Sequence, residues 1–308
     1  MVVRITQKIA MFLLILVVTS FLVFIVLHLI PGDPARLYAG SEATEEVVEL
    51  IRQEWGFAQP LYIQYITFVS KALHGDFGYS IHFRQPVLKE ILQRLPSSIE
   101  LAAAAILISI VFGIPLGVAS ALHRRSFFDK MCTFIAVLGI SSPIFVTGLL
   151  LIFVFSLKLN IFPASGRGDI SRLILPAITL GVYNTALIVR LTRATMLDVL
   201  RADYIRTARA KGLPERVVIF KHALRNAIIP VYTIIGLNFG HLIGSAVIVE
   251  VVFARGGLGE ILVDAVKWRD YQLAQGSMLV FALLIITVNL MVDWTYQFLD
   301  PRTRGGDR

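Results

Sequence analysis

Residues 201–230 read RADYIRTARAKGLPERVVIFKHALRNAIIP, a basic stretch set between two long apolar runs. It carries seven Lys/Arg against two Asp/Glu. Leu197, Leu200, Tyr204 and Ala208 recur at helical spacing, and Gly212 supplies the positive φ that ends a helix. Pro214 suits the first turn of a second helix, with Val217, Phe220, Leu224 and Ile228 along one face. The stretch therefore predicts a surface helix-turn-helix. Taken alone, it is equally a solvated basic loop on the cytoplasmic side of a membrane protein.

Composition sets the surroundings. The 308 residues are 56% hydrophobic and 16% charged, with mean hydropathy +0.74, whereas a soluble domain carries about 25% charged residues. The chain is an integral membrane protein. Its net charge of +8 is explained by the bias of inner loops toward Lys/Arg, with no zinc-finger spacing or stacking motif to indicate nucleic acid. The single Cys132 excludes an intramolecular disulfide and a multi-cysteine metal site.

Outward from the basic stretch, the apolar runs predict six spans. The first, Ile9 to Ile30, follows Arg4 and Lys8 and is long enough for a bilayer core. Residues 31–97 mix charge, aromatics and turn residues and form an extramembranous module. Within it, Glu45 to Trp55 and Leu61 to Leu73 are predicted helices, and His74 to Gly78 a turn. The second span is Leu101 to Leu122, its start set by Ser97 and Glu100 at capping-box spacing, with a kink expected at Pro115. The third, Met131 to Leu157, is interrupted by Ser141-Ser142-Pro143, a break tolerated at membrane depth where neighbours or a cavity satisfy the freed backbone. The fourth is Leu173 to Leu191. The fifth, Val231 to Phe253, spaces Gly236, Gly240 and Gly244 four apart, a stripe that admits a close neighbouring helix. A glycine-rich turn and a short amphipathic helix, Glu260 to Lys267, lead to the sixth span, Gln275 to Leu299, and a basic tail, Asp300 to Arg308. The fold class is an all-α polytopic membrane protein: first helix 1–30, extracytoplasmic module 31–97, and a five-helix core 98–308 carrying the loop at about 193–230.

With both termini inside, the inner segments hold 17 of the 29 Lys/Arg. The basic stretch is then cytoplasmic and the 31–97 module external. No Gly-x-x-x-x-Gly-Lys-Ser/Thr loop, His-Glu-x-x-His pair or nucleophile elbow occurs, so neither a nucleotide site nor catalytic or metal chemistry has a recognisable carrier. The polar residues inside spans are Asn184, Asn238, His241 and Glu250. Asn238, His241 and Ser245 share one face of the fifth helix, and with Asn184 they are the residues expected along a solute path. Each is also explained by a hydrogen bond to a neighbouring helix. His28 and Asp293 lie near span ends, where they reach the interface.

The basic stretch resembles the cytoplasmic coupling loop of ABC-importer permeases, which carry Glu-Ala-Ala, three residues and Gly, then Leu-Pro. Asp203 to Gly212 followed by His222 to Pro230 is similar to the form found in dipeptide, oligopeptide, glutathione and nickel permeases. Pro31-Gly32-Asp33-Pro34, His74 to Gly78, Gly139 to Pro143 and Leu299 to Arg302 resemble the first permease subunit of that group, over nearly the whole chain. The glutamate position is Arg206 here, the alanines are Thr207 and Ala208, and the proline is displaced to Pro230.

The resemblance implies the six-helix type I importer fold and no ATP site in this chain. ATP and Mg would be bound by two partner ATPases, which Asp203, Tyr204, Arg206, Thr207, Ala208, Arg209, Ala210, Lys211, Gly212, Leu213 and Pro214 would contact. It also implies a related second permease subunit and an external substrate-binding protein received by the 31–97 module. Peptides are the main solute expectation, with glutathione, nickel chelates or haem as alternatives. An ion-coupled transporter is the competing class. It would need carboxylates around a midplane site, and Glu250 and Asp293 lie near span ends instead.

Overall fold

Helix Ile170–Val199, in the fourth span, is the most enclosed of the apolar runs, with twelve buried residues from Leu175 to Met196. The elements around it are, in order, α1 (Val2–Leu29), α2 (Pro34–Ala39), α3 (Glu45–Glu54), α4 (Leu61–Leu73), a hairpin of β1 (Tyr79–Ser80) and β2 (Gln85–Pro86), α5 (Val87–Leu122), α6 (Phe127–Ser141), α7 (Ile144–Leu151), α8 (Ile170–Val199), α9 (Asp203–Ala210), α10 (Glu215–Val217), α11 (Leu224–Val252), α12 (Leu258–Lys267) and α13 (Tyr271–Leu299). The computed structural model describes the backbone of residues 2–29, 33–40 and 42–299, with side chains throughout these except 2–9, 27, 34 and 293–299. Pro31, Gly32, the side chains of Arg4, Lys8 and Asp293, and the tail Asp300 to Arg308 lie outside the described residues.

The all-α polytopic architecture stands. Among the described residues, four helices are long and apolar enough to cross a membrane: Val87–Leu122, Ile170–Val199, Glu215–Val252 and Tyr271–Val292. The pair Phe127–Ser141 and Ile144–Lys158 makes a fifth span if taken as one, bent by 112° at Ser142-Pro143, and α1 contributes the shorter apolar helix Ala10–Val26. The proline explains the break. It has no N–H for the helical ladder and holds residue 142 extended, at ψ 128°.

Three sequence expectations are corrected. The second span does not start at a capping box: α5 begins at Val87, and Ser97 is wholly buried inside it. Val87 and Ile91 are buried apolar positions, and Glu90 pairs with Arg94 at i,i+4, so the helix propagates upstream on packing rather than caps. The periodicity from Leu197 to Ala208 is not one helix, because α8 ends at Val199 and α9 starts at Asp203. The second helix of the basic stretch is not separate from the fifth span either. It runs through a π-helical segment, Val218–Ala223, into α11, with Pro230 inside the helix.

By contacts the chain divides into two units, Met1–Ser97 with Gly256–Ile286, and Ser98–Arg255 with Thr287–Arg308. In the first, Tyr65 of α4 holds α1 through a 2.8 Å hydrogen bond with Ser20 and ring contacts to Phe21 and Phe24. The hairpin is tied to the start of α13 by Asp270, which accepts from Ser80 Oγ at 2.6 Å and from Leu273 N at 3.1 Å.

In the second unit, α8 is gripped through small residues. A Cβ on Gly113 or Gly117 of α5 would lie 2.6 Å from Ile188 Cγ2 or Thr192 Cβ, and one on Gly181 would lie 3.0 Å from the Ala105 carbonyl oxygen. Gly139 of α6 faces Val182 and Ala186, and Gly148 of α7 faces Thr179. Such contacts substitute for the hydrophobic drive that lipid does not provide. On α11, Gly236 and Gly240 admit Val292 and Asn289 of α13, as the stripe predicts, whereas a Cβ on Gly244 meets nothing within 4 Å.

A pair of substitutions tests this seam. Gly117→Ala forces α5 and α8 apart and lowers stability by about 1–3 kcal/mol, read as a lower unfolding temperature of the protein in detergent, while Gly244→Ala, which meets no neighbour, leaves that temperature unchanged or raises it slightly through better helix propensity. Equal effects would remove the α5–α8 seam as a determinant.

Candidate coupling site and translocation cavity

The basic stretch folds into an amphipathic surface helix with a divided face. Ile205 and Ala208 of α9 are buried, packed with Val118 and Ala121 of α5, Met196 of α8, and Val218, Ala223 and Ala227 beyond the turn. Asp203, Tyr204, Arg206, Thr207, Arg209, Ala210, Lys211, Gly212, Leu213 and Pro214 are exposed. The buried pair is spaced three apart, one helical face, so the sequence brings the remaining positions to solvent. Ala208 thus seats α9 on its own chain, while the outer face is left to other residues.

Gly212 comes after α9 with φ +74° and open space around its Cβ position. Its requirement is therefore conformational: an L side chain fits sterically but strains the left-handed backbone. Pro214 precedes α10 and the π-helical segment. Two contacts pin α9 to the chain beyond this turn. Arg209 donates to Glu215 at 2.6 and 3.3 Å, and Asn226 Nδ2 donates to the Tyr204 hydroxyl at 3.0 Å. The hydrogen bond to Glu215 raises the Arg209 pKa further above its ordinary value, although both groups face water and the pair contributes little stability. Arg206, at the glutamate position of the coupling pattern, lies 3.6 Å from Asp203 with both side chains largely exposed. An exposed cation thus stands where the pattern has a carboxylate.

At membrane depth, a cavity of about 240 Å³ opens beside the break between α6 and α7. Ser142, Thr147, Tyr183, Asn184, His241 and Ser245 give it polar groups, and Gly139 lines it too. His241 stacks on Tyr183 at 5.7 Å between centroids, and its Nδ1 lies 3.3 Å from Ser245 Oγ. Three of the four residues expected along a path, Asn184, His241 and Ser245, therefore meet in one space. Asn238 does not: it lines an adjacent apolar void of about 10 Å³ together with Asn184, and its Nδ2 donates to the Ile234 carbonyl at 2.9 Å. Glu250 is fully buried in α11. Sequence reasoning missed Tyr183, Ser142 and Thr147 in the cavity, because hydroxyls within apolar runs carry no positional signal until the fold places them. It also missed Gly113 and Gly117, whose four-residue spacing in the second span is the signal it applied to the fifth. Among the described residues no group of three or more His, Cys, Asp or Glu can hold a metal ion.

An all-α membrane chain with a polar cavity beside a broken span and an amphipathic helix laid on one end is a membrane-embedded transport subunit by architecture. Residues 113–305 match the family described as binding-protein-dependent transport system inner membrane component, and residues 1–102 its N-terminal membrane component; the chain belongs to this family, and is a permease subunit of an ABC importer in a bacterial inner membrane. Partner ATPases and a substrate-binding protein go with that assignment. Among its relatives is the glutathione transport system permease protein GsiC of Escherichia coli strain K12, 46% identical over 289 residues, 94% of either chain. The GsiC of Shigella flexneri serotype 5b matches to the same extent. The fold is similar to that in inward-facing structures of the MetNI methionine ABC transporter, at TM-score 0.58 and 16% identity over 68% of this chain and 96% of that one. It is also similar to an amino acid ABC transporter, at TM-score 0.52 and 15% identity over 68% and 94%.

The strain at residue 212 can be measured. Gly212→Ala destabilises the loop by about 1–2 kcal/mol, and Gly212→Asn, which tolerates the left-handed region, by less; hydrogen exchange at residues 203–215 reads the difference. Equal protection in Gly, Asn and Ala chains would show that the left-handed turn is not required.

Proposed function

We propose that the chain forms one half of a pathway for glutathione or a similar short peptide and is driven through the loop at about 193–230 by two cytoplasmic ATPases that carry the ATP and Mg. A related second permease subunit supplies the other half, and residues 31–97 face the external binding protein. The distribution of Lys/Arg supports cytoplasmic termini.

The observation that carries the coupling assignment is the divided face of α9. A helix seated by Ile205 and Ala208 and otherwise exposed from Asp203 through Pro214 has the form of a docking element: its inner face moves with the chain, and its outer face is available to a partner. The Gly212 turn gives it a defined end. The cavity at Asn184, His241 and Ser245 supports the pathway assignment, since it offers hydroxyl, amide and imidazole groups suited to peptide bonds at a depth where unpaired polar groups are costly. The GsiC relatives support the solute: glutathione is itself a short peptide, and the similarity extends over 94% of both chains.

The decisive experiment reconstitutes the complete complex in liposomes with its binding protein. Glutathione is expected to stimulate ATP hydrolysis and to be taken up, with dipeptides as the comparison arm. Stimulation by dipeptides alone would replace the solute while leaving the coupling assignment intact. Uptake driven by an ion gradient without the ATPases would overturn the coupling assignment.

A further inference from the structure

Ten residues before α9, Arg193 of α8 reaches a carboxylate that neither the coupling face nor the cavity uses. Asp129, in the first turn of α6, is 3% exposed. Its Oδ1 accepts from Arg193 Nε at 2.5 Å and from Ser120 Oγ at 2.5 Å. Its Oδ2 accepts from Arg193 Nη2 at 2.8 Å and from the Arg125 backbone N at 2.9 Å. A carboxylate has about four acceptor positions, so this one is fully used. The donors come from three places: α5 at Ser120, the loop at Arg125, and α8 at Arg193. The guanidinium is bidentate, the geometry that constrains both separation and orientation.

The position of this group is what gives it meaning. Val118 and Ala121, on either side of Ser120, and Met196, one turn beyond Arg193, belong to the cluster on which Ile205 and Ala208 seat α9. The ends of α5 and α8 thus carry α9 and at the same time hold the start of α6. From there α6 lies along α8, through Ala136 against Ala186 and Val189, and Gly139 against Val182 and Ala186. It then stops at the 112° bend at Ser142-Pro143, where Gly139, Ile140 and Ser142 line the cavity. An unbroken series of packed and hydrogen-bonded groups joins the coupling helix to the cavity wall, and Asp129 is its charged joint. Asp129 is buried and Arg193 partly so, with its side chain 28% exposed. Such a pair adds little net stability, since desolvation offsets much of the attraction, and what it supplies is the fixed separation and orientation of its bidentate contact.

We propose that the Asp129–Arg193 pair is a strut that makes α6 move as one body with the seat of α9, so that displacement of α9 by a partner ATPase reaches the bend and the cavity. Asp129 and Arg193 are positioning residues, acting through α6 rather than on the solute. The proposal rests on the coupling assignment made for α9.

The test uses the whole complex in liposomes and measures glutathione, or the dipeptide that stimulates hydrolysis in its place, taken up per ATP hydrolysed. Asp129→Asn keeps the size and loses the charge. The ATPase subunits are expected to co-purify with the variant and to hydrolyse ATP, while glutathione per ATP falls about two- to thirtyfold, the range for residues along a coupling network. An unchanged ratio in Asp129→Asn overturns the strut. A second set guards against misfolding: in a Cys132→Ser background, Asp129→Cys with Arg193→Cys is joined by a short bifunctional thiol reagent. Coupling is expected to be low before and to recover after cross-linking, because a covalent link replaces the lost one. A cross-linked complex that hydrolyses ATP without recovering uptake overturns the strut. Failure of the ATPases to co-purify with the unaltered chain would instead overturn the coupling assignment itself, so the two failures are distinguishable.

Discussion

Close approach of backbones around α8 is the constraint on which the second unit depends. In lipid, apolar side chains gain nothing by leaving one hydrocarbon for another, and helices associate where small residues let their main chains meet. Gly113 and Gly117 of α5, Gly139 of α6 and Gly148 of α7 each leave room on α8 that a methyl group would invade, at 2.6 to 3.2 Å from its nearest neighbour. Gly181 does the same from α8, and Ser109 Oγ donates to its carbonyl at 3.1 Å. With α8 held at this spacing, its C-terminal end forms part of the seat for α9, and its middle presents Tyr183 and Asn184 to the cavity. The seat of α9 and the cavity are thus both built on one helix, with Asn184 and Arg193 roughly 14 Å apart at the α-helical rise.

The residues themselves show why so much of this is legible in the chain and why some is not. Composition and apolar run length define the membrane class, since no soluble chain tolerates such hydropathy. Proline at 143 permits the break, since it cannot donate to the ladder and disfavours a helical residue 142, but proline alone does not decide it, because Pro176 and Pro230 lie inside continuous helices. Glycine at 212 announces the left-handed turn for a similarly local reason. The start of α5 is hidden because a capping box is a local pattern that long-range packing overrides: Val87 and Ile91 bury their side chains, and that burial carries the helix upstream of Ser97. The junction of the basic stretch with α11 is hidden for the opposite reason. Pro230 looks like a boundary, yet the upstream helix persists through it, with a π-helical segment at Val218–Ala223 that no residue pattern marks.

The site is legible to the same degree. The face of α9 is legible only in part, since the periodicity groups Tyr204 with Ala208 whereas Ile205 is buried beside Ala208 and Tyr204 is exposed. The shared face of His241 and Ser245 follows from their spacing. That Asn238 belongs elsewhere, bonded to the Ile234 carbonyl, depends on the rotation of α11 against its neighbours, which spacing alone leaves open. The inward turn of Ala208 is of the same kind. A small residue on a surface helix serves a partner or its own support equally well, and only the packing against Val118 and Met196 decides between them.

The bend at Ser142-Pro143 has one more consequence. In a continuous helix the carbonyl of Gly139 would accept from the N–H four residues on, and that position is Pro143, which has none. Gly139 is one of the residues that line the cavity, so a main-chain oxygen without its usual helical donor belongs to a residue of the wall. An acceptor of this sort is encoded by the residue four places downstream and is indifferent to the side chain at its own position. No substitution at residue 139 deletes that acceptor, because it is the missing N–H of Pro143 that leaves it without a helical donor.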